Sequence, residues 1–88
     1  MLASRKNGTL YIGVTGNLPV RVAQHKSGAV DGFTKTYGVT QLVWFERHET
    51  MESAIIREKQ MKKWNRAWKI RSIMRGNPEW CDLYSEIV

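Results

Sequence analysis

Two turn signals bracket one short apolar run and leave that part of the chain little choice. In NGTLYIGVTGNLP, Asn7-Gly8 precedes Thr9–Val14 and Gly16-Asn17 follows it. The first pair favours the positive φ of a tight turn, so the end of a strand at Leu2–Ser4 is expected to pair as a hairpin with a strand over Thr9–Val14. The second pair breaks the strand. Asn17 can cap a helix, and Pro19 is tolerated in a first helical turn because its missing N–H has no carbonyl to meet. That helix is expected to run to about Ser27 and to stop at Gly28.

A strand and a helix do not by themselves require Tyr11, Arg21 and His25. At about 100° per residue, Leu18, Val22 and His25 share a narrow arc with Arg21 at its edge. Arg21 and His25 therefore lie beside the buried face, one turn apart. Each has a plain structural explanation: Arg21 in a salt bridge to a carboxylate, His25 as a cation at the helix C-terminus.

Downstream, GAVDGFTKTYG has no period and reads as a loop from Gly28 to Gly38, with Phe33, Lys35 and Tyr37 available to touch a substrate. Gln41–Glu46 is a strand, Arg47–Thr50 a polar turn, and a long helix is expected over Met51–Asn65. A last helix, Arg66–Met74, ends at Gly76-Asn77-Pro78, and a tail carries Trp80 and Leu83-Tyr84. The result is an α+β fold in which residues 1–88 form one domain, with a core over 1–75 and a tail over 76–88.

Glu58 is the anomaly of the long helix. Met51, Ala54, Met61 and Asn65 share one face, and Glu58 falls in the middle of that stripe. Glutamate is rarely buried alone, so it is paired, holds a metal or borders a cleft; an ion pair with Arg21 is the simplest case.

Charge points to the partner. The net charge is +6, and from Lys59 to Arg75 seven basic residues meet no acidic one. Lys62, Lys63, Arg66 and Lys69 are the residues expected to track a phosphate backbone, with Trp64 and Trp68 interleaved. Core packing is the default for all four tryptophans, and His48, in the polar turn, is given no role. A lone Cys81, expected half-buried, excludes an intrachain disulfide and any cysteine-rich zinc site. No run approaches the roughly 18 apolar residues of a membrane span. A soluble cytoplasmic protein is expected.

The ordered set of Tyr11-Ile12-Gly13, Arg21 ten residues on and Glu58 on a later helix resembles the GIY-YIG nuclease superfamily. Similarity to its small stand-alone bacterial members extends through NGTLYIGVT, LPVRVAQHKSG, GFTKTYG, LVWFE and AIIREKQMKKWNRAWK. The resemblance implies a small three-stranded antiparallel sheet flanked by helices and metal-dependent cleavage of a nucleic-acid phosphodiester. It also implies site residues: Tyr11 as the motif tyrosine, Arg21 as the arginine of the next helix, Glu58 as ligand of a single Mg²⁺ or Mn²⁺. His25 stands where family members place histidine or tyrosine, and Asn65 near a late supporting polar residue. Two departures accompany these matches. The strand that should carry a first tyrosine is cut short at Met1, and Val14 replaces a lysine found beside the motif tyrosine in repair incision enzymes of the superfamily.

The expected activity is thus an endonuclease acting on nucleic acid, DNA before RNA, in repair or DNA processing. Tyr11 or His25 would activate water. A catalytically silent nucleic-acid-binding module of the same fold is the alternative, and an interaction protein pairing through a bare sheet edge is a third. A chain this small has little room for specificity of its own, so a partner protein, a second copy or a particular nucleic-acid structure would supply it.

Overall fold

A computed structural model describes residues 1–29 and 32–88. Three short antiparallel strands, β1 (Leu2–Ala3), β2 (Leu10–Tyr11) and β3 (Gln41–Leu42), form a sheet in the order β2-β1-β3. Leu2 faces Tyr11 on one side and Leu42 on the other; Ala3 faces Leu10 and Gln41. The Met1 carbonyl carries the ladder further, accepting from Val43 N at 3.0 Å. The flanking strands are shorter than the expected Thr9–Val14 and Gln41–Glu46 because both pair with β1, and β1 offers two residues.

Alternation along these strands divides the core. Met1, Ala3, Ile12 and Val43 point to one face and pack with Met61, Ile73 and Trp80. Leu2 and Leu42 point to the other and pack with Val22 and Val39, with Tyr11 and Leu18 against them. Side chains that alternate in sequence therefore serve opposite layers.

The helices begin and end where local chemistry dictates. Helix α1 (Leu18–Ser27) is capped by Asn17, whose Oδ1 accepts from Val20 N at 3.3 Å, and Gly28 closes it at φ 75°. The stretch expected to be a loop contains one helical turn, α2 (Phe33–Thr36), too short to show a period in sequence; Val30 and Asp31 of that stretch lie outside the described residues. Helix α3 (Met51–Lys62) starts at the Thr50 cap and stops before the expected Asn65. Asn65 instead caps α4 (Arg66–Gly76), its Oδ1 accepting from Trp68 N at 2.9 Å. As a cap its side chain satisfies a free backbone N–H, which a mid-helix position would not allow.

The tail folds back as a 3₁₀ turn, Leu83–Glu86. Buried Asn77 ties it down: Nδ2 donates to the carbonyls of Val43 (3.2 Å) and Cys81 (2.8 Å), and Oδ1 accepts from Cys81 N (3.0 Å). Asp82 reaches the sheet edge, accepting from Leu42 N at 3.1 Å and pairing with Lys26. Cys81 is exposed rather than half-buried, since these ties turn its backbone, not its thiol, inward. Trp80 is buried and Trp44 and Trp64 pack against the core, but Trp68 is 51% exposed, edge-on to Trp64, and so departs from the expected core packing. Among the described residues no helix is long and apolar enough to cross a membrane.

Asn77→Ala is expected to lower stability by about 2–3 kcal/mol, because it orphans buried backbone groups on two segments at once. A urea melt measures this; an unchanged midpoint would show that the tail is held by Trp80 and Asp82 alone.

Candidate functional site

Sheet alternation sends Tyr11 to the layer that α1 covers, and the capped start of α1 sets the rotation of that helix. Together they bring Tyr11 and His25 into contact, ring centroids 5.5 Å apart and tilted by 52°. Gly13 makes room for the tyrosine. A Cβ at position 13 would lie 2.9 Å from Tyr11 Cε1 and 3.4 Å from its hydroxyl. The spacing Tyr11-Ile12-Gly13 thus has a steric basis: the ring folds over the residue two positions on, and a side chain there would push it aside.

Arg21, one turn before His25, is half-buried, and Nη1 donates to Gln24 Oε1 at 3.3 Å. Tyr11, Arg21 and His25 line a small pocket of about 60 Å³ with Leu18 and Val22. Met1, Gly13, Val14, Thr15 and Leu18 also line a larger cleft of about 510 Å³, whose opposite wall carries Glu58. The two cavities therefore adjoin across these five residues, with Tyr11, Arg21 and His25 lining the small one and Glu58 the larger.

The Glu58–Arg21 ion pair allowed by the sequence is replaced by a nearer one. Glu58 Oε1 accepts from Lys62 Nζ at 2.7 Å, one turn along the same helix. The hydrogen bond to Glu58 raises the Lys62 pKa; slight desolvation opposes this, and the charge of Glu58 and the phenol of Tyr11 add to it. Lys62 therefore stays charged beside Glu58.

His25 is 5% exposed, and its Nδ1 shares a 2.9 Å hydrogen bond with Thr34 Oγ1 on α2. Burial, reinforced by the neighbouring Arg21 charge, pushes its pKa below 6.5. The helix-terminal cation that the sequence allowed is thus disfavoured, and His25 is a neutral imidazole at neutral pH.

The basic residues lie in different settings. Arg66 Nη2 donates to the carbonyls of Asn7 (2.8 Å) and Gly8 (2.6 Å), staking the β1–β2 turn. Lys63 is exposed and Lys69 half-buried near exposed Trp68, while Lys35 is exposed on α2. Sequence reasoning had no signal for Thr34, which only the folded α2 brings to His25. It also missed a network on the cleft rim. Glu46 Oε1 meets His48 Nε2 at 2.6 Å and accepts from Arg57 Nε at 3.2 Å, while His48 Nδ1 meets Ser53 Oγ at 3.1 Å. Arg57 lies over the Trp64 ring at 5.1 Å. The adjacent Arg57-Glu58 pair was the available clue: one carboxylate wall next to a cation facing the same space.

Because His25 is harder to protonate folded than unfolded, the unfolded chain takes up the proton first as pH falls. Stability is expected to drop as pH goes below 6.5 and to level off once the folded pKa is passed. Thermal melts across this range should show a shallower fall in His25→Asn, which keeps a polar atom for Thr34; parallel curves would contradict the neutral histidine.

Residues 1–71 match the family model described as the GIY-YIG catalytic domain. The chain is 32% identical over 71 residues to a UPF0213 protein of Staphylococcus saprophyticus, covering 81% of this chain and 87% of that one. It is 36% identical over 72 residues to a UPF0213 protein of Syntrophus aciditrophicus (81% and 82%), and 37% over 68 residues to one of Clostridium perfringens (77% and 73%). No solved structure matches the chain. With a three-stranded antiparallel sheet, its tyrosine over the motif glycine, and a domain match across most of its length, the chain belongs to the GIY-YIG family, whose superfamily is one of endonucleases.

Proposed function

We propose that the protein is an endonuclease that hydrolyses nucleic-acid phosphodiesters, DNA in preference to RNA, with one divalent cation at Glu58. The observation that supports this is that the Tyr11–Arg21–His25 pocket and the Glu58 cleft adjoin, with Gly13, Val14 and Thr15 lining both; on this reading one phosphate spans the two.

The donor set suits one hard cation and little more. Among the described residues no three His, Cys, Asp or Glu side chains cluster as a metal cage. One or two carboxylates are enough for Mg²⁺ or Mn²⁺ when phosphate oxygens and water complete its shell. Lys62 occupies Oε1 of Glu58, leaving Oε2 as the natural ligand atom. When bound, the cation would supply Lewis-acid stabilisation of charge on the phosphate and leaving oxygen.

The chain's own groups then divide the remaining work. Arg21 donates to the non-bridging oxygens as charge builds there. Tyr11 directs its hydroxyl toward the attacking water. His25, kept neutral by burial and by Arg21, has a ring nitrogen able to take the proton, and Thr34 holds the imidazole plane in place. Lys62 adds positive charge beside the phosphate. Lys63 at the end of α3 and Lys69 on α4 extend that field, whereas Arg66 serves the fold and indirectly the β2 position that carries Tyr11.

Labelled DNA and RNA strands and duplexes, incubated with wild type across a Mg²⁺ titration, test this. Metal-dependent cutting is expected, with about a hundredfold loss or more in Glu58→Gln and in Arg21→Ala at unchanged melting temperature. Equal cutting by wild type and Glu58→Gln at every Mg²⁺ level would refute the metal role. Salt-sensitive binding without product would identify a silent binding module of the same fold.

A further inference from the structure

We propose that Phe33 and Tyr37 form a stacking platform for one nucleobase next to the phosphate that Tyr11 and Arg21 face. The inference rests on the nucleic-acid reading above and adds to it a contact that recognises the base.

Four rings run outward in series from the candidate site. His25 and Tyr11 are 5.5 Å apart, Tyr11 and Phe33 6.4 Å at 29°, and Phe33 and Tyr37 4.8 Å at 46°. Exposure rises along the row, from the buried His25 to 48% at Phe33 and 56% at Tyr37. Neither outer ring belongs to either hydrophobic cluster of the core. Two large apolar faces are thus held open to solvent one ring away from the motif tyrosine.

The turn that carries them is firmly seated. Thr34, between the two rings in sequence, is buried and bonded to His25; its carbonyl accepts from Val39 N at 2.8 Å, and Phe33 O accepts from Tyr37 N at 3.1 Å. Rings fixed in advance lose little freedom when a flat partner settles on them. The chemistry that fits is a nucleobase, since every base has a π face and its phosphate would then fall toward Arg21. Such a contact carries no hydrogen-bond code and tolerates any base.

If the rings merely packed the turn against Tyr11, their loss would weaken every ligand alike. A binding cycle separates the two cases. The full chain, without divalent cation so that nothing is cut, is titrated with a fluorescein-labelled DNA strand and with the same strand made wholly of abasic sugar-phosphate. Wild type is expected to prefer the base-bearing strand by about 5- to 100-fold. Tyr37→Ala, whose ring touches Phe33 and not Tyr11, should lose much of that preference, and the Phe33→Ala/Tyr37→Ala pair nearly all of it, both at wild-type affinity for the abasic strand. Equal preference in wild type and variants, or an equal loss on both strands, would overturn the platform. A retained base preference in a protein that cuts nothing with Mg²⁺ would leave the platform standing and remove the nuclease; cutting without any base preference would do the reverse.

Discussion

Leu2 pairs with Tyr11 on one side and with Leu42 on the other, and this register settles which layer every neighbouring side chain enters. A slip of one residue would turn Tyr11 away from α1 and put Leu10 in its place. The central strand is only two residues long, so its hold depends on what reinforces it: Met1 extending the ladder, Arg66 staking the β1–β2 turn, and Asp82 and Asn77 fastening the tail to β3 and the residue after it. These ties are all long in sequence. They link the two helical layers and the tail to one small sheet, which then presents Tyr11 beside Arg21 and His25.

The electrostatics of the site follow from the same placement. His25 lies deep enough that water cannot stabilise its cation, and Arg21 adds a like charge nearby, so both effects favour the neutral ring. Glu58 lies across the shared wall and is balanced by Lys62 on its own helix, which leaves Arg21 free of an ion pair with that carboxylate. The intrahelical pair instead leaves Arg21 to the small pocket and Glu58 to the larger cleft.

Much of this was legible from local chemistry. Asn17, Pro19 and Gly28 mark the ends of α1 because caps and turns are decided by a few adjacent residues, and the one-turn spacing of Arg21 and His25 needs only helical geometry. That Tyr11 joins them is what the family resemblance implied, and the sheet register brings it there. Glu58 was recognisable as out of place, yet its partner was Lys62, four residues away, while the more distant Arg21 had been the simpler pairing considered. What could not be read were contacts made only in the fold. Thr34 reaches His25 through a single helical turn that has no period, Arg66 meets Asn7 and Gly8 from a remote helix, and Glu46, His48 and Arg57 meet across the cleft rim. Asn65 was read as part of the α3 stripe, whereas its side chain caps α4, a role set by where the chain turns.

The central claim is that the two cavities act on one phosphate as one unit. Single-turnover cleavage rates of Arg21→Lys, Glu58→Gln and the double variant test it most directly, because groups serving one transition state are not additive. The double variant is predicted to be no slower than the worse single one. Losses that multiply would mean that the pocket and the cleft act independently, and would contradict the account.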